Sequence, residues 1–259
     1  MKKTFSFKKM HGIGNDFALI DNRNQAIEIT SNFVKFLSDR HTGIGFDQLL
    51  LVENSDVDGC DAAYRFFNPD GSQAEQCGNG QRCISKYLHQ QDPTKIQFCL
   101  SGLAGTMYSE ILENGDVSVN MGKISSIETL MINNQKCFQV DFGNPHLVTV
   151  IDDVDNCQLS ELNKQFTKKY VNNINFEAVE IVANDTIKIR VFERGTGETQ
   201  ACGSGACASV AALQSIGKLG NRVKVMLPGG NLVVEYQSST KNLLLTGPAT
   251  HVFTGEIKL

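Results

Sequence analysis

Two cysteines stand out from the other six by their surroundings: Cys77 opens Cys77-Gly78-Asn79-Gly80, and Cys202 opens Cys202-Gly203-Ser204-Gly205. Each lies one to three residues ahead of a predicted helix, Gly80 to Gln90 in the first case and Gly205 to Ile216 in the second. The first N–H groups of a helix lack intrahelical acceptors and carry roughly half a positive charge, so they stabilise an anion in front of them. A thiol placed there is expected to become more acidic than its free value of about 8.5. The glycines let the backbone approach a ligand closely, which offers a seat for a substrate carboxylate at the helix ends. Two equivalent thiols also suit one reaction in particular. If one removes a proton from a carbon and the other delivers one from the opposite side, the stereocentre is inverted. Two other readings stand beside this one: a pair of core thiols, the usual fate of cysteine, or a disulfide. Polar neighbours such as Glu75, Asn79, Glu198 and Ser204 make these turns poor cores. Cys83 and Cys207 fall inside the predicted helices and are assigned to packing, and Cys60, Cys99, Cys137 and Cys157 to core burial.

The elements that must position the two thiols are themselves repeated. Arg65, Phe67, Cys77, Gly78 and Gly80 recur as Arg190, Phe192, Cys202, Gly203 and Gly205 in one ungapped register. A second echo sets Gly14-Asn15, running to Ile20-Asp21, against Gly143-Asn144, running to Ile151-Asp152. The chain therefore reads as two similar halves. Alternating and β-branched runs predict strands at Phe17 to Asp21, Gln48 to Glu53, Ala63 to Phe67, Ile96 to Leu100, Thr106 to Leu112 and Val117 to Met121. In the second half they fall at Lys136 to Phe142, His146 to Ile151, Phe176 to Val182, Thr186 to Phe192, Val223 to Leu227, Leu232 to Tyr236 and Asn242 to Thr246. Asn114-Gly115 and Pro228-Gly229-Gly230-Asn231 read as hairpin turns. Two further helices are predicted at Ser31 to Ser38 and Ser160 to Tyr170. The fold class is α+β, not an alternating βαβ pattern, with the halves joined compactly near Gly122 to Ile127.

Composition narrows the function. The chain has 259 residues, 41% of them apolar and 20% charged, enough to bury one large core or two smaller ones. Its net charge is -4, without blocks of like charge, so neither nucleic acid nor an anionic membrane is the expected partner. No apolar run approaches the roughly 20 residues that span a bilayer. No apolar segment follows the lysines of Met1 to Met10 to direct export, so reduced thiols in a cytoplasm are expected. The cysteine spacings contain no CxxC pair, and no metal site is expected.

Five motifs in order carry a family resemblance: MHGIGNDF (10–17), GIGFDQLL (43–50), FNPDGSQAEQCGNGQRC (67–83), GNPH (143–146) and ERGTGETQACGSGAC (193–207). Together they closely resemble diaminopimelate epimerases, over essentially the whole chain. The resemblance implies a cofactor-independent interconversion of LL- and meso-2,6-diaminopimelate, in lysine and peptidoglycan precursor biosynthesis. It also implies two pseudo-symmetric domains, each a mostly antiparallel sheet or barrel wrapped round a central helix. The first would comprise residues 1–122 with 250–259, the last strand returning to it, and the second residues 123–249. By motif, Cys77 and Cys202 match the two acid/base thiols. Gly78, Asn79, Gly203 and Ser204 match the groups that hold the reacting carboxylate. Asn15, Gln48, Asn68, Asn144, Asn175, Glu193 and Arg194 match the other substrate contacts, while His146 and Glu193 match residues that adjust thiol acidity. Arg194 can fork onto a carboxylate, and Glu193 can receive ammonium hydrogens. Taken singly, Asn15 and Asn144 read as turn residues, Glu193-Arg194 as a solvent-exposed pair and His146 as a histidine satisfied beside Pro145. Pro69 and Gln81 stand where alanine is frequent in the family, and Phe253 stands where many relatives have a tyrosine at the dimer interface. A homodimer is expected, its interface keeping the ring but not the hydroxyl. A racemase for another amino acid with the same two-cysteine chemistry, and a binding module that keeps the fold without catalysis, are the alternatives.

Overall fold

Apolar and polar residues alternate at the start of the chain, and that alternation builds the first strand, β1 (Thr4–Gly12), with Phe5 and Phe7 buried and Thr4 and Ser6 exposed. The computed structural model describes residues 4–25, 27–170 and 174–258. The chain divides into two compact units, Met1–Val119 with Gly247–Leu259, and Asn120–Thr246.

In the first unit, β1 pairs antiparallel with β2 (Asn15–Asp21) on one side and with the final strand β18 (Thr250–Lys258) on the other. The sheet continues through β3 (Gln48–Glu53), β4 (Ala62–Phe67), β6 (Gln97–Gly102), β7 (Gly105–Ile111) and β8 (Val117–Gly122), with the short β5 (Gln73–Ala74) against β4. All these neighbours are antiparallel except β2–β3 and β4–β6. Helix α2 (Gly78–Gln91) touches β1, β2, β3 and β7, so the sheet curls around it. Ten of its residues are buried, among them the fully enclosed Arg82, whose Nε donates to the Pro248 carbonyl at 3.4 Å. Helix α1 (Ser31–Ser38), capped by the Thr30 hydroxyl, lays Val34 and Leu37 on Phe5, Phe7, Ile20 and Leu51.

The second unit repeats this plan with β9 (Ser126–Ile132), β10 (Gln135–Asp141), β11 (Pro145–Val150), β12 (Asn175–Ala183), β13 (Thr186–Glu193), β15 (Arg222–Leu227), β16 (Gly230–Gln237) and β17 (Asn242–Gly247), and with β14 (Gly197–Thr199) beside β13. Its two parallel pairs, β11–β12 and β13–β15, occupy the same places in the order as those of the first unit. Helix α4 (Gly203–Ser215) packs on β10, β11, β12 and β16 and is buried on nearly every side, which its small apolar residues permit. Helix α3 (Leu159–Thr167) covers the opposite face with Leu159 and Phe166, then tightens into a 3-10 turn at Lys168–Tyr170. Each half is thus a mostly antiparallel sheet around one long helix, as expected. Among the described residues, no helix is long and apolar enough to cross a membrane.

Several expectations change. Both long helices start two residues earlier than predicted, at Gly78 and Gly203, because the cysteine before each serves as the N-cap. The junction expected at Gly122 to Ile127 already contains the start of β9. Cys60 and Cys99 are not separate core thiols: both are only partly buried, and they are paired as a disulfide. The cause is the parallel pairing of β4 with β6, which aligns Ala62 with Leu100 and brings the Asp61 N–H to the Cys99 carbonyl at 2.8 Å. Cys157 is also only partly buried, its carbonyl accepting from Arg190 Nη1 at 2.9 Å. Cys83, Cys137 and Cys207 are core thiols, and burial pushes Cys83 up to about 12.

Two outcomes are expected from this arrangement. The turn that carries Asn68 closes with Gly71 at φ +79°, where an added Cβ would meet Ser31 Oγ at 2.2 Å. Urea unfolding should show Gly71→Ala costing on the order of 2–3 kcal/mol. Gly59→Ala, at φ +82° with nothing near its Cβ, should cost only about 1 kcal/mol. Asp16 gives the second. Burial alone would raise its carboxyl, but hydrogen bonds from Arg40 and Lys9 outweigh that and hold it at about 2, below the usual 3.8. Its contribution to stability is therefore complete above pH 3.8 and is lost as the pH falls through about 2. Unfolding measured across that window should be less pH-dependent in Asp16→Asn.

Candidate active site

The cysteine in front of each long helix takes the place that a serine or aspartate usually holds. Cys77 is in extended conformation, φ −149° and ψ 103°, and its sulfur accepts the Gly80 N–H at 3.3 Å. Cys202 repeats this with φ −128° and ψ 111°, accepting from Gly205 N–H at 3.4 Å. The sulfurs therefore already face the positive ends of their helices.

Around Cys77 the first unit gathers amides. Asn79 Nδ2 donates to Asn15 Oδ1 at 3.1 Å, and the Cys77 thiol points to the same oxygen at 4.0 Å. Asn15 Nδ2 in turn donates to Asp47 Oδ2 at 2.9 Å, an oxygen that also accepts the Asp16 N–H. Arg40 bridges Asp16 and Asp47, and Lys9 pairs with Asp16, so a charged network fixes the amide beside the sulfur. Gln48 Nε2 donates to Asn68 Oδ1 at 3.0 Å, while Gln48 Oε1 is buried without a partner. Asn15, Gln48, Asn68, Asn79 and Gly78 thus belong to one unit and, apart from the glycine, are tied in pairs.

The surroundings of Cys202 are acidic instead. Parallel pairing of β11 with β12 sets His146 opposite Asn175. His146 is fully buried between Glu177 Oε1, 2.6 Å from Nδ1, and Asn144 Oδ1, 3.0 Å from Nε2. Asn144 Nδ2 reaches Ser204 Oγ at 3.5 Å, which lies 3.6 Å from the Cys202 sulfur. Asn175 accepts the Arg194 N–H at 2.9 Å and donates to the Pro145 carbonyl. The Arg194 side chain is exposed at the end of this cluster. Glu193 Oε1 accepts the Thr199 hydroxyl at 2.5 Å, and burial pushes its carboxyl up, aided by the negative charge of Glu177.

One expectation fails here. The helix terminus was to make both thiols more acidic, yet Cys202 is pushed well above the ordinary thiol range. Burial is the main cause, and the carboxylates of Glu193 and Glu177 add to it. The Ser204 hydroxyl and the Gly205 N–H act in the acidifying direction but are outweighed. Sequence reasoning also missed Glu177, Asp47, Asp16 and Arg40. Asp47 sat inside the GIGFDQLL motif, whereas Glu177 lies in a run of buried strand residues with no signal of its own. Among the described residues, no group of three or more His, Cys, Asp or Glu side chains is arranged to hold a metal ion.

The fold is shared with solved structures of low sequence identity. A phenazine biosynthesis protein of the PhzF family from Bacillus anthracis superposes with a TM-score of 0.76 at 16% identity, covering 98% of this chain and 99% of its own. A hydroxyproline epimerase from Agrobacterium vitis, with bound trans-4-hydroxy-L-proline, gives 0.75 at 11% identity over 100% and 92%. In sequence, a diaminopimelate epimerase from Acinetobacter baumannii is 38% identical, covering 98% of this chain and 97% of that protein. The sequence model of the family described as diaminopimelate epimerase matches residues 7–127 and 138–252, both cysteine turns included. This chain belongs to the diaminopimelate epimerase family.

Proposed function

We propose that this chain interconverts LL- and meso-2,6-diaminopimelate by exchanging the proton on an α-carbon between Cys77 and Cys202. The observation that carries this reading is the repeated cap: each unit presents one sulfur bonded to the first turn of its own buried helix. Inversion at carbon needs one base to take the proton and one acid to return it on the other face. The burial of Cys202, with the acidic groups beside it, suits it to start as the thiol that gives a proton, which leaves Cys77 to act as the thiolate on the other face. The N–H groups that follow each cysteine, at Gly78, Asn79, Gly203 and Ser204, lie in the first turns of the helices and are the donors for the reacting carboxylate and for the charge that builds on it. Asn15, Gln48, Asn68, Asn144, Asn175, Glu193 and Arg194 hold the rest of the substrate, and His146 with Glu193 sets the acidity of Cys202. The sulfurs move the proton themselves, so no pyridoxal phosphate or metal enters the scheme.

The reading places the enzyme in the cytoplasm, supplying lysine and peptidoglycan precursors. It includes a homodimer, supported by the apolar Val252 and Phe253 exposed on β18. Incubation with diaminopimelate in heavy water should put deuterium on the α-carbon. Cys77→Ala and Cys202→Ala should each lower turnover by ~100-fold or more, since one proton-transfer partner is worth roughly 100- to 10,000-fold. Full exchange in either variant, or exchange into another amino acid in preference to diaminopimelate, would overturn the assignment.

A further inference from the structure

The two units share one strand order, so each group near Cys202 has a counterpart near Cys77. The parallel pairs align Phe17 with Gln48 in the first unit and His146 with Asn175 in the second. His146 therefore answers to Phe17. Two residues further along, Glu177 answers to Leu50. All four are fully buried. The helix glycines confirm the match. A Cβ on Gly80 would lie 3.0 Å from Leu50 Cδ2, whereas one on Gly205 would lie 2.8 Å from Glu177 Oε1 and 3.3 Å from the Cys202 sulfur. Where the first unit packs a phenyl ring and an isobutyl group, the second has enclosed an imidazole and a carboxylate.

We propose that Glu177 is a positioning residue that makes the two thiols unequal, keeping the proton on Cys202 and orienting the polar groups that meet its sulfur. This deepens the epimerase reading above and rests on it. The carboxylate holds His146 through Nδ1, and the Asn144 carbonyl oxygen at Nε2 requires a hydrogen there, so the ring has one orientation. With its oxygen committed to His146, Asn144 turns its Nδ2 to Ser204 Oγ, the hydroxyl beside the sulfur. Glu177 Oε2 is buried with no hydrogen-bond partner, and a Cβ on Gly205 would touch both Glu177 Oε1 and the Cys202 sulfur, so the carboxylate stands close to the thiol. Three titratable groups face the sulfur from neighbouring strands: Glu193 on β13, Glu177 on β12 and His146 on β11. A thiolate formed there meets the negative charge of Glu193 and Glu177.

The test uses the full chain and iodoacetamide across a pH series, with the Cys202 peptide quantified by mass spectrometry. Glu177→Gln keeps the shape and removes the charge, so Cys202 should label roughly tenfold faster at neutral pH, its midpoint falling by about one unit. Glu177→Asp should keep the parent midpoint, and the partly exposed Cys157 should label equally in all forms. An unchanged Cys202 midpoint in Glu177→Gln overturns the proposal. If that variant does not fold, the double variant His146→Phe with Glu177→Leu, which copies the first unit, is read by the same two outcomes. Labelling needs no substrate. A lowered midpoint in a chain that exchanges no deuterium into diaminopimelate would sink the epimerase reading and leave the charge effect standing. An unchanged midpoint in a chain that does exchange would sink only the role of Glu177.

Discussion

A sulfur accepting a hydrogen bond from the first turn of a buried helix is the contact around which both halves are arranged. It requires an extended residue immediately before the helix, a glycine three positions on, and a helix whose start is held firmly by its surroundings. The curled sheets meet the last requirement. With strands on several sides of α2 and α4, neither helix can shift along its axis without disturbing the packing of Leu50 and Phe66 against Gly80, or of Glu177 against Gly205. Each sulfur is thus positioned by the backbone, and the side chains around it are left to adjust charge.

That division of labour explains how a duplicated frame supports two different environments. Strand order, parallel pairs and caps are common to both units, while the groups that surround the sulfurs differ. Amides tied to the Lys9, Asp16, Arg40 and Asp47 network stand near Cys77, and a histidine between a carboxylate and an amide stands near Cys202. Buried charge is costly unless it is bonded, and His146 with Glu177 meets that condition through one short hydrogen bond. The proton exchange proposed above needs one loaded and one empty site at any moment. Unequal surroundings are the physical means of deciding which is which.

Much of this frame is legible in the sequence alone. The repeated cysteine turn located both helix starts to within two residues, and Asn114-Gly115 and Pro228-Gly229-Gly230-Asn231 marked real hairpins, at β7–β8 and β15–β16. Local patterns sufficed there because turns and caps are decided by neighbours in sequence. What escaped depends on distant partners. Strand β9 has few buried residues and is specified mainly by its ladder with β10. Cys60 and Cys99 meet only through the pairing of β4 with β6. The acidity of Cys202 is expected in the wrong direction because the helix terminus is a local feature, whereas the burial of the sulfur, and after it Glu193 and Glu177, come from other strands.

The pairing of β1 with β18 also bears on how the protein comes to exist. On a ribosome, the strand that completes the first unit is made after every strand of the second. Until then β1 offers its open backbone edge, with Phe5 and Phe7 beside it, to any other extended chain in reach. The second unit lies in one stretch of sequence and can mature during translation. The first must wait, so the nascent chain passes through a stage with one finished half and one unsealed half. Contacts this far apart in sequence also slow assembly, since a long loop has to close before they form.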